Sequence, residues 1–382
     1  MPQPPDSQPR APQPRAPQPP APQPPAPQPP DSQPPAPRPP DSRLPDSQPP
    51  APRPPAFADI LAARDLLAGH LPATPMWSYP VLDAMAGATV YVKHENVQPV
   101  GAFKVRGGLT LLAGLTPEQR ARGLVTYSTG NHAQSLAYAC AAFGASCTVV
   151  MPRTVPEAKA RAARALGAEV VLHGADMGAA QERAEQLAAG GGRQLVSPGD
   201  TPALLAGVGT LYLEVFAARP DLDAVVVPVG SGTGAAAACL VAEQLAPNCR
   251  VIAVQSSAAP AAHDSWRDGA CVRRPDRTTV EGLATGRGFT LPQAVMRSGL
   301  AGFHLVSDPQ IAAAQRLLAG HAHTLAEGAG AAALAAVLAR PQEFAGQRVA
   351  VVCTGGNASA GDIAALGDGT ALGEGAAPAL SP

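Results

Sequence analysis

The stretch "DAVVVPVGSGTGAAAACLVAEQLAP" (223–247) decides the fold. It runs without a break from a short apolar segment rich in valine, through a glycine-rich turn, into an alanine-rich helical segment. Short apolar strands that alternate with helices are typical of parallel sheets covered by helices on both faces. The same alternation recurs along the chain, with strand-like segments at 88–95, 123–129, 146–152, 168–174, 249–255 and 347–357. We therefore predict an α/β protein with doubly wound open sheets.

The first 56 residues are of a different kind. They are built from near-repeats such as APQPP and hold 26 of the 45 prolines, with one leucine and no valine or isoleucine. Because such a segment cannot bury enough apolar surface to offset chain entropy, we predict a disordered tail over 1–56. The remainder, about 315 residues, exceeds what one core normally serves, so two domains are expected.

Composition argues against several classes of partner. A net charge of −1 disfavours nucleic acid. The six cysteines show no CxxC pair and no metal-ligand spacing, which favours buried free thiols in a reducing compartment. The N-terminus "MPQPPDSQPR" lacks the apolar centre of a signal peptide, and no apolar run reaches the roughly 18 residues of a membrane helix. We expect a cytoplasmic protein with no membrane or nucleic-acid partner.

Ligands of doubly wound sheets bind in the loops beyond the carboxyl ends of the strands. That rule selects four glycine-containing segments: GAFKVRGG (101–108), STGNHAQ (128–134), GSGTG (230–234) and CTGGN (353–357). The third joins a strand to a helix N-terminus, where free N–H groups and the helix dipole favour a phosphate. Its spacing is neither a dinucleotide fingerprint nor a P-loop, and a simple tight turn is the structural alternative.

Two of the other segments allow both a structural and a functional interpretation. Asn131 offers an amide for a ring oxygen, whereas Ser128, Thr129 or Asn131 could instead cap the following helix. Thr354 could meet a ring nitrogen, or it could be an ordinary turn residue. The segment STGNHAQ also places free N–H groups where they suit a carboxylate.

Lys104 lies between Phe103 and a pair of glycines in what reads as a glycine-rich turn. An exposed lysine on a turn is the ordinary interpretation. A lysine held against apolar surface instead has a lowered pKa and can form a Schiff base.

Together the four segments resemble the fold-type II pyridoxal-phosphate enzymes, in the serine/threonine dehydratase (threonine ammonia-lyase) branch. Their order and spacing match that family, as do AGVGTLYLEV (206–215), VEGLATG (280–286) and EGAGAAALAA (327–336). The resemblance implies a fold of the tryptophan-synthase-β type. It implies a large cofactor domain at 57–122 and 199–370, a small inserted domain at 123–198, and a C-terminal tail at 371–382.

The resemblance also implies roles for particular residues, with pyridoxal 5'-phosphate as the cofactor. Lys104 would form the Schiff base and act as the catalytic base, Phe103 would pack on the cofactor ring, and Thr354 would face its nitrogen. Asn131 would bind the phenolic oxygen. The phosphate would lie against Gly230, Ser231, Gly232, Thr233 and Gly234, and the substrate carboxylate against Ser128, Thr129, Gly130 and His132. Glu327 opens a family-like segment and is expected to line the site.

The implied reaction is β-elimination from L-threonine or L-serine, giving a 2-oxo acid and ammonia, in an enzyme expected to be a homodimer. Departures from the family pattern change what is expected of the metal site and of the reaction. Gln255 stands where metal-dependent members have an acid, so no metal site is expected. Thr129 stands where racemising members have a serine, so efficient racemisation is not expected. Hydroxyl groups in the phosphate loop keep open a β-replacement or threonine-synthase-like reaction. A further alternative is an interaction protein that binds partners through its proline-rich segment.

Overall fold

A computed structural model of the chain describes residues 52–367. Within that range the backbone forms two β-sheets enclosed by helices. The ten strands are β1 (Met76–Ser78), β2 (Thr89–His94), β3 (Leu124–Tyr127), β4 (Cys147–Met151), β5 (Glu169–Leu172), β6 (Gln194–Val196), β7 (Ala224–Pro228), β8 (Arg250–Ser256), β9 (Gly302–Val306) and β10 (Arg348–Cys353).

Fifteen α-helices connect and cover these strands in the described part of the chain. They are α1 (Phe57–Leu67), α2 (Pro80–Ala86), α3 (Lys104–Ala113), α4 (Pro117–Arg122), α5 (Asn131–Ala142), α6 (Glu157–Ala165), α7 (Met177–Gly191), α8 (Pro202–Ala218), α9 (Thr233–Leu245), α10 (Ala261–Asp268), α11 (Thr290–Gly299), α12 (Asp308–His321), α13 (Gly328–Leu338), α14 (Pro341–Phe344) and α15 (Ala360–Gly367).

The larger sheet has six strands in the order β1-β2-β10-β7-β8-β9. All neighbours are parallel except the edge pair β1 and β2. Strands β2 and β10 end in register at His94 and Cys353. Because carboxyl ends of adjacent parallel strands meet at one edge of a sheet, the segments after β2, β10 and β7 converge there.

The smaller sheet has four parallel strands in the order β5-β4-β3-β6. All four lie between β2 and β7 in the chain, so this sheet interrupts the larger one in sequence. The segment STGNHAQ follows its strand β3 directly and leads into α5.

Both sheets are buried on both faces. In β7, Val225 and Val227 belong to one apolar cluster while Ala224 and Val226 belong to another on the opposite face. Central strands such as β7 and β4 are therefore buried along their whole length, and their sequences are continuous apolar runs rather than alternating ones. Five of the six cysteines are buried, Cys271 is exposed, and all six are free thiols.

The predicted α/β fold class is confirmed, since strand and helix alternate through two doubly wound sheets. The predicted domain boundaries stay a prediction. The predicted tails at 1–56 and 371–382 lie outside the described residues apart from 52–56, after which α1 begins at Phe57. Among helices of residues 52–367, none is long and apolar enough to cross a membrane.

Candidate active site

The segment that carries Lys104 is fixed to the end of β10. Ala102 forms an isolated antiparallel bridge with Gly355, and the Phe103 N–H donates to the carbonyl oxygen of Thr354 at 3.0 Å. Helix α3 begins at the next residue, Lys104. The ordinary interpretation, a lysine on a glycine-rich turn, is therefore wrong from Lys104 onward.

The reason is that Gly107 and Gly108 serve helix packing rather than a turn. A Cβ added at Gly107 would lie 2.9 Å from the carbonyl oxygen of Leu204 in α8, and one at Gly108 would lie 2.7 Å from Oγ of Ser135 in α5. The Ser135 hydroxyl in turn donates to the backbone carbonyl of Lys104 at 2.5 Å. Close contacts with two neighbouring helices therefore fix the first turn of α3 and the direction of Lys104.

The Lys104 amine faces the glycine-rich loop. Its Nζ donates to Oγ of Ser231 at 3.1 Å and to Oγ1 of Thr233 at 2.5 Å, and it lies 5.2 Å from the centroid of the Phe103 ring. Lys104 borders an open cavity, yet the protein surrounds its amine closely enough that burial lowers its pKa to about 7. Near neutral pH a large share of this amine is therefore unprotonated and can accept a proton.

The loop whose hydroxyl groups accept hydrogen bonds from Lys104 has the geometry of an anion-binding site. Gly230–Gly234 join β7 to α9, whose first turn has no side-chain cap, so its N–H groups point into the cavity. Gly232 has φ of +92°, a conformation that favours glycine. A Cβ at Gly230 would lie 2.3 Å from the carbonyl oxygen of Gly282, so only glycine fits there.

Asn131 is the first residue of α5 and its amide is held on both sides. Its Nδ2 donates to Oε1 of Glu327 at 2.6 Å, and its Oδ1 accepts from Nδ2 of Asn357 at 2.7 Å. Gly130 is the N-cap residue and α5 has no side-chain cap, so the alternative in which Ser128, Thr129 or Asn131 caps the helix is wrong. The first-turn N–H groups of α5 stay available.

Glu327 brings a carboxyl group into the same cavity. Burial raises its pKa to about 7, an effect partly opposed by the hydrogen bond from Asn131 and the charge of Lys159. The carboxyl therefore changes ionisation near neutral pH. The sequence placed Glu327 only in a family-like segment. Asn357 is the last residue of the selected segment CTGGN, but the sequence gave it no role, and the structure places it against Asn131.

His132 is held in the interior. Its Nε2 lies 2.9 Å from Oγ1 of Thr126, and that hydroxyl donates its own proton to the carbonyl of Val196 at 2.7 Å. The hydroxyl can therefore only accept from His132, which assigns the Nε2–H tautomer. Burial lowers the pKa of this imidazole to about 3, so the ring is neutral.

Gln255 caps a helix. Its Oε1 accepts from the N–H groups of Ala262 and His263, each at 3.1 Å, and its Nε2 donates to Oγ1 of Thr285 at 3.4 Å. This amide thus binds the first turn of α10 and the segment that follows it. Within residues 52–367 no group of three or more His, Cys, Asp or Glu side chains is placed to bind a metal ion.

A single cavity of about 1410 Å³ gathers the residues that the sequence singled out. All thirteen line it: Phe103, Lys104, Ser128, Thr129, Gly130, Asn131, His132, Gly230, Ser231, Gly232, Thr233, Gly234 and Thr354. Their individual roles stay predictions. Tyr127, Lys159 and Arg287 also line the cavity, and no motif in the sequence indicated them.

An amine of lowered pKa lies beside an apolar ring and a helix N-terminus that can bind a phosphate. This combination defines a site for a phosphate-bearing carbonyl cofactor. Comparison with known proteins identifies the class further. Residues 67–355, more than half of the chain, match the family model described as "Pyridoxal-phosphate dependent enzyme". The chain belongs to that family.

Individual relatives extend the match over most of the chain. The chain is 35% identical to the beta-hydroxyaspartate dehydratase of Paracoccus denitrificans over 79% of its own length and 96% of the relative. It is 36% identical to the L-threonine ammonia-lyase of Thermotoga maritima, over 78% and 75%. The solved serine racemase of Dictyostelium discoideum shares its fold with a TM-score of 0.75 and 30% identity, over 80% and 99%.

The cofactor is pyridoxal 5'-phosphate, and the residues present fit it. Gly230–Gly234 would hold the phosphate, Phe103 would offer an apolar face to the ring, and Lys104 would supply the amine. The predicted class, an enzyme of the ammonia-lyase type that uses this cofactor, is confirmed.

Proposed function

We propose that this enzyme catalyses β-elimination of water from L-threonine or L-serine, giving the 2-oxo acid and ammonia. The observation that carries the proposal is the Lys104 amine, which has a pKa of about 7 and lies beside the hydroxyl groups of Ser231 and Thr233. The Thermotoga maritima relative, named as an L-threonine ammonia-lyase, supports the reaction class.

The bound cofactor supplies the electron sink that makes the substrate Cα proton acidic. Lys104 then takes the Cα proton on Nζ, a role for which an amine with a pKa near the working pH is well matched. Phe103 excludes water from one side of the amine. The N–H groups at the start of α5, after Gly130, hold the substrate carboxylate against the positive end of the helix dipole.

Two further side chains orient the reacting groups. Asn131 is kept in one orientation by Glu327 and Asn357, so its amide is ready to hold the phenolic oxygen of the cofactor. Thr354, which is 4% exposed and directly follows β10, would meet the ring nitrogen with a neutral hydroxyl. A neutral partner would leave that nitrogen mostly unprotonated, which would favour loss of a β-leaving group over other fates of the substrate.

The first test is release of 2-oxo acid from L-threonine and L-serine by the purified holoenzyme. The wild-type protein should show the visible absorbance band of bound cofactor and should release 2-oxo acid. Lys104→Ala should lose that band and lower turnover at least about 1,000-fold, because both the covalent anchor and the base are removed. Arg297→Gln, a change on the exposed face of α11, is the control.

Turnover of no hydroxy amino acid by a coloured wild-type enzyme would contradict the proposal. Incorporation of an added thiol or amine without release of 2-oxo acid would instead indicate a β-replacement enzyme. Full activity in Lys104→Ala would show that another group is the base.

We also propose that the enzyme is a homodimer. Support comes from apolar side chains at the edge of the larger sheet, where Trp77 on β1 is 56% exposed and Val81 and Met85, one helical turn apart on α2, are 46% and 47% exposed. Light scattering on the purified protein gives the mass directly. A monomeric mass at micromolar concentration would contradict this proposal.

A further inference from the structure

One segment of the cavity wall runs between the phosphate loop and the substrate loop. At one end, the Thr285 hydroxyl donates to the carbonyl oxygen of Gly230 at 3.1 Å. Two residues later, Nη2 of Arg287 donates to the hydroxyl oxygen of Tyr127 at 3.2 Å. Tyr127 is the last residue of β3 and directly precedes Ser128. Arg287 therefore lies beside the loop to which we assign the substrate, on the wall that also touches the cofactor loop.

The charge of Arg287 is not balanced by a neighbouring acid. Its guanidinium carbon lies 4.5 Å from the centroid of the Phe289 ring, and the side chain is half-buried. Within residues 52–367 no carboxylate forms an ion pair with it. Two other cations on the same wall are paired: Arg274 binds Asp264 at 2.6 Å, and Lys159 binds Glu281.

A second arginine stands next to it. Arg273 and Arg287 face each other in an isolated antiparallel bridge, and the Arg274 N–H donates to the Gly286 carbonyl oxygen at 3.0 Å. Residues opposite each other in such a bridge project to the same face. Both arginines line the cavity, so two positive groups project from neighbouring backbone segments at this wall.

A half-buried guanidinium needs an anionic partner to offset its desolvation, and a planar fork of donors matches a carboxylate. Tyr127 uses one of these donors, and the remaining N–H groups belong to a side chain that lines the cavity. We propose that Arg287 binds a second carboxylate on the substrate side chain, so that the enzyme prefers a β-hydroxy amino acid with an acidic side chain, such as 3-hydroxyaspartate. The proposal rests on the β-elimination proposed above and selects among its substrates.

Two other roles for Arg287 give different results. If it only ties the loop to β3, then Tyr127→Phe, which removes the same hydrogen bond, has the same effect as loss of the guanidinium. If it binds the α-carboxylate, which every amino acid carries, its loss lowers turnover of all substrates alike.

The test compares kcat/KM for L-threo-3-hydroxyaspartate with kcat/KM for L-serine, which serves as the internal reference. In Arg287→Gln the ratio should fall about 10- to 100-fold, the range expected for loss of hydrogen bonds between charged groups. Arg287→Lys should recover part of the ratio because it keeps the charge without the fork. Tyr127→Phe and the charge control Arg297→Gln should keep the ratio within about twofold of the wild type, well inside one kcal/mol.

A binding measurement supplies a readout that does not depend on turnover. L-Aspartate has the second carboxylate but no hydroxyl leaving group, and L-alanine has neither. Calorimetric titration of the holoenzyme should show L-aspartate binding weakened about 10-fold or more by Arg287→Gln, with L-alanine as the reference ligand.

The outcomes separate the two proposals. If the wild type releases 2-oxo acid from no hydroxy amino acid, the proposed reaction is wrong. If it acts on L-serine but Arg287→Gln leaves both the kinetic ratio and L-aspartate binding unchanged, Arg287 does not select the side chain. A fall of equal size for all substrates would assign it to the α-carboxylate and would also overturn the proposal.

Discussion

Glu327 is a carboxyl group whose ionisation opposes folding. Its pKa is about 7 in the folded protein because burial disfavours the charged form, while an unfolded chain has the ordinary glutamate value. A raised pKa gives stability that is complete below the unfolded value, about 4.3, and is lost as pH rises through about 7. The wild type should therefore lose about 1–3 kcal/mol of unfolding free energy between pH 5 and pH 8 through this group.

Glu327→Gln removes the ionisation but keeps an oxygen that can accept from Asn131. Its unfolding free energy, measured with urea at several pH values, should match that of the wild type at pH 5 and exceed it at pH 8. Glu243→Gln, a change on the exposed face of α9, is the matched control. A constant difference between Glu327→Gln and wild type at all pH values would show that the carboxyl does not titrate in this range.

At the scale of elements, α3 is held by a buried set of charges. Arg106, which is 2% exposed, binds Glu95 at 2.7 Å and Glu214 of α8 at 2.7 Å, while Lys93 of β2 also binds Glu214. Two positive and two negative groups balance. Because Arg106 is two residues from Lys104, this network fixes the helix that carries the amine.

Arg106→Met should destabilise the protein by about 3–5 kcal/mol, because it leaves two buried carboxylates with one lysine. The double change Arg106→Met with Glu95→Gln restores the balance between Lys93 and Glu214. It should therefore cost clearly less than the sum of the two single changes. Urea unfolding of the four proteins gives the coupling free energy, and additive effects would mean that the charges act independently.

Length and burial decide which strands the sequence could predict. Strands β3, β4, β7 and β10 were found because strands buried on both faces read as valine-rich runs bounded by glycine or proline. Strands β1 and β6 were not identified because they have only three residues each, and β9 was missed because its buried Phe303 and Val306 are separated by partly buried residues.

The start of α3 could not be read locally. A glycine pair after a lysine has the composition of a turn, and only contacts with α5 and α8, distant in the chain, make it helical. The glycine-rich loop could be read because its function depends on backbone N–H groups. The positions of Glu327 and Arg287 in the cavity depend on how long segments of the chain fold. No local pattern in this sequence specifies those positions.

At the scale of the whole molecule, every residue that lines the cavity lies between Phe103 and Ala360. Helix α1 nevertheless belongs to the folded unit, because Ile60 is fully buried and a Cβ at Gly209 of α8 would lie 2.8 Å from its side chain. The sequence before α1 has the composition of a chain that cannot form a core. The part of the chain that is needed for stability and activity is therefore expected to begin at about Phe57.

Two truncations test this boundary. Removal of residues 1–51 should leave cofactor affinity, kcat/KM and the urea midpoint unchanged. Removal of residues 1–67 takes away the buried side chains of Ile60 and Leu67 and should cost at least about 4 kcal/mol, at about 2 kcal/mol for each large apolar side chain. If removal of 1–51 lowers turnover while the urea midpoint stays constant, the proline-rich segment acts on the site and is not a passive extension. If both truncations leave stability unchanged, α1 does not support α8 in solution.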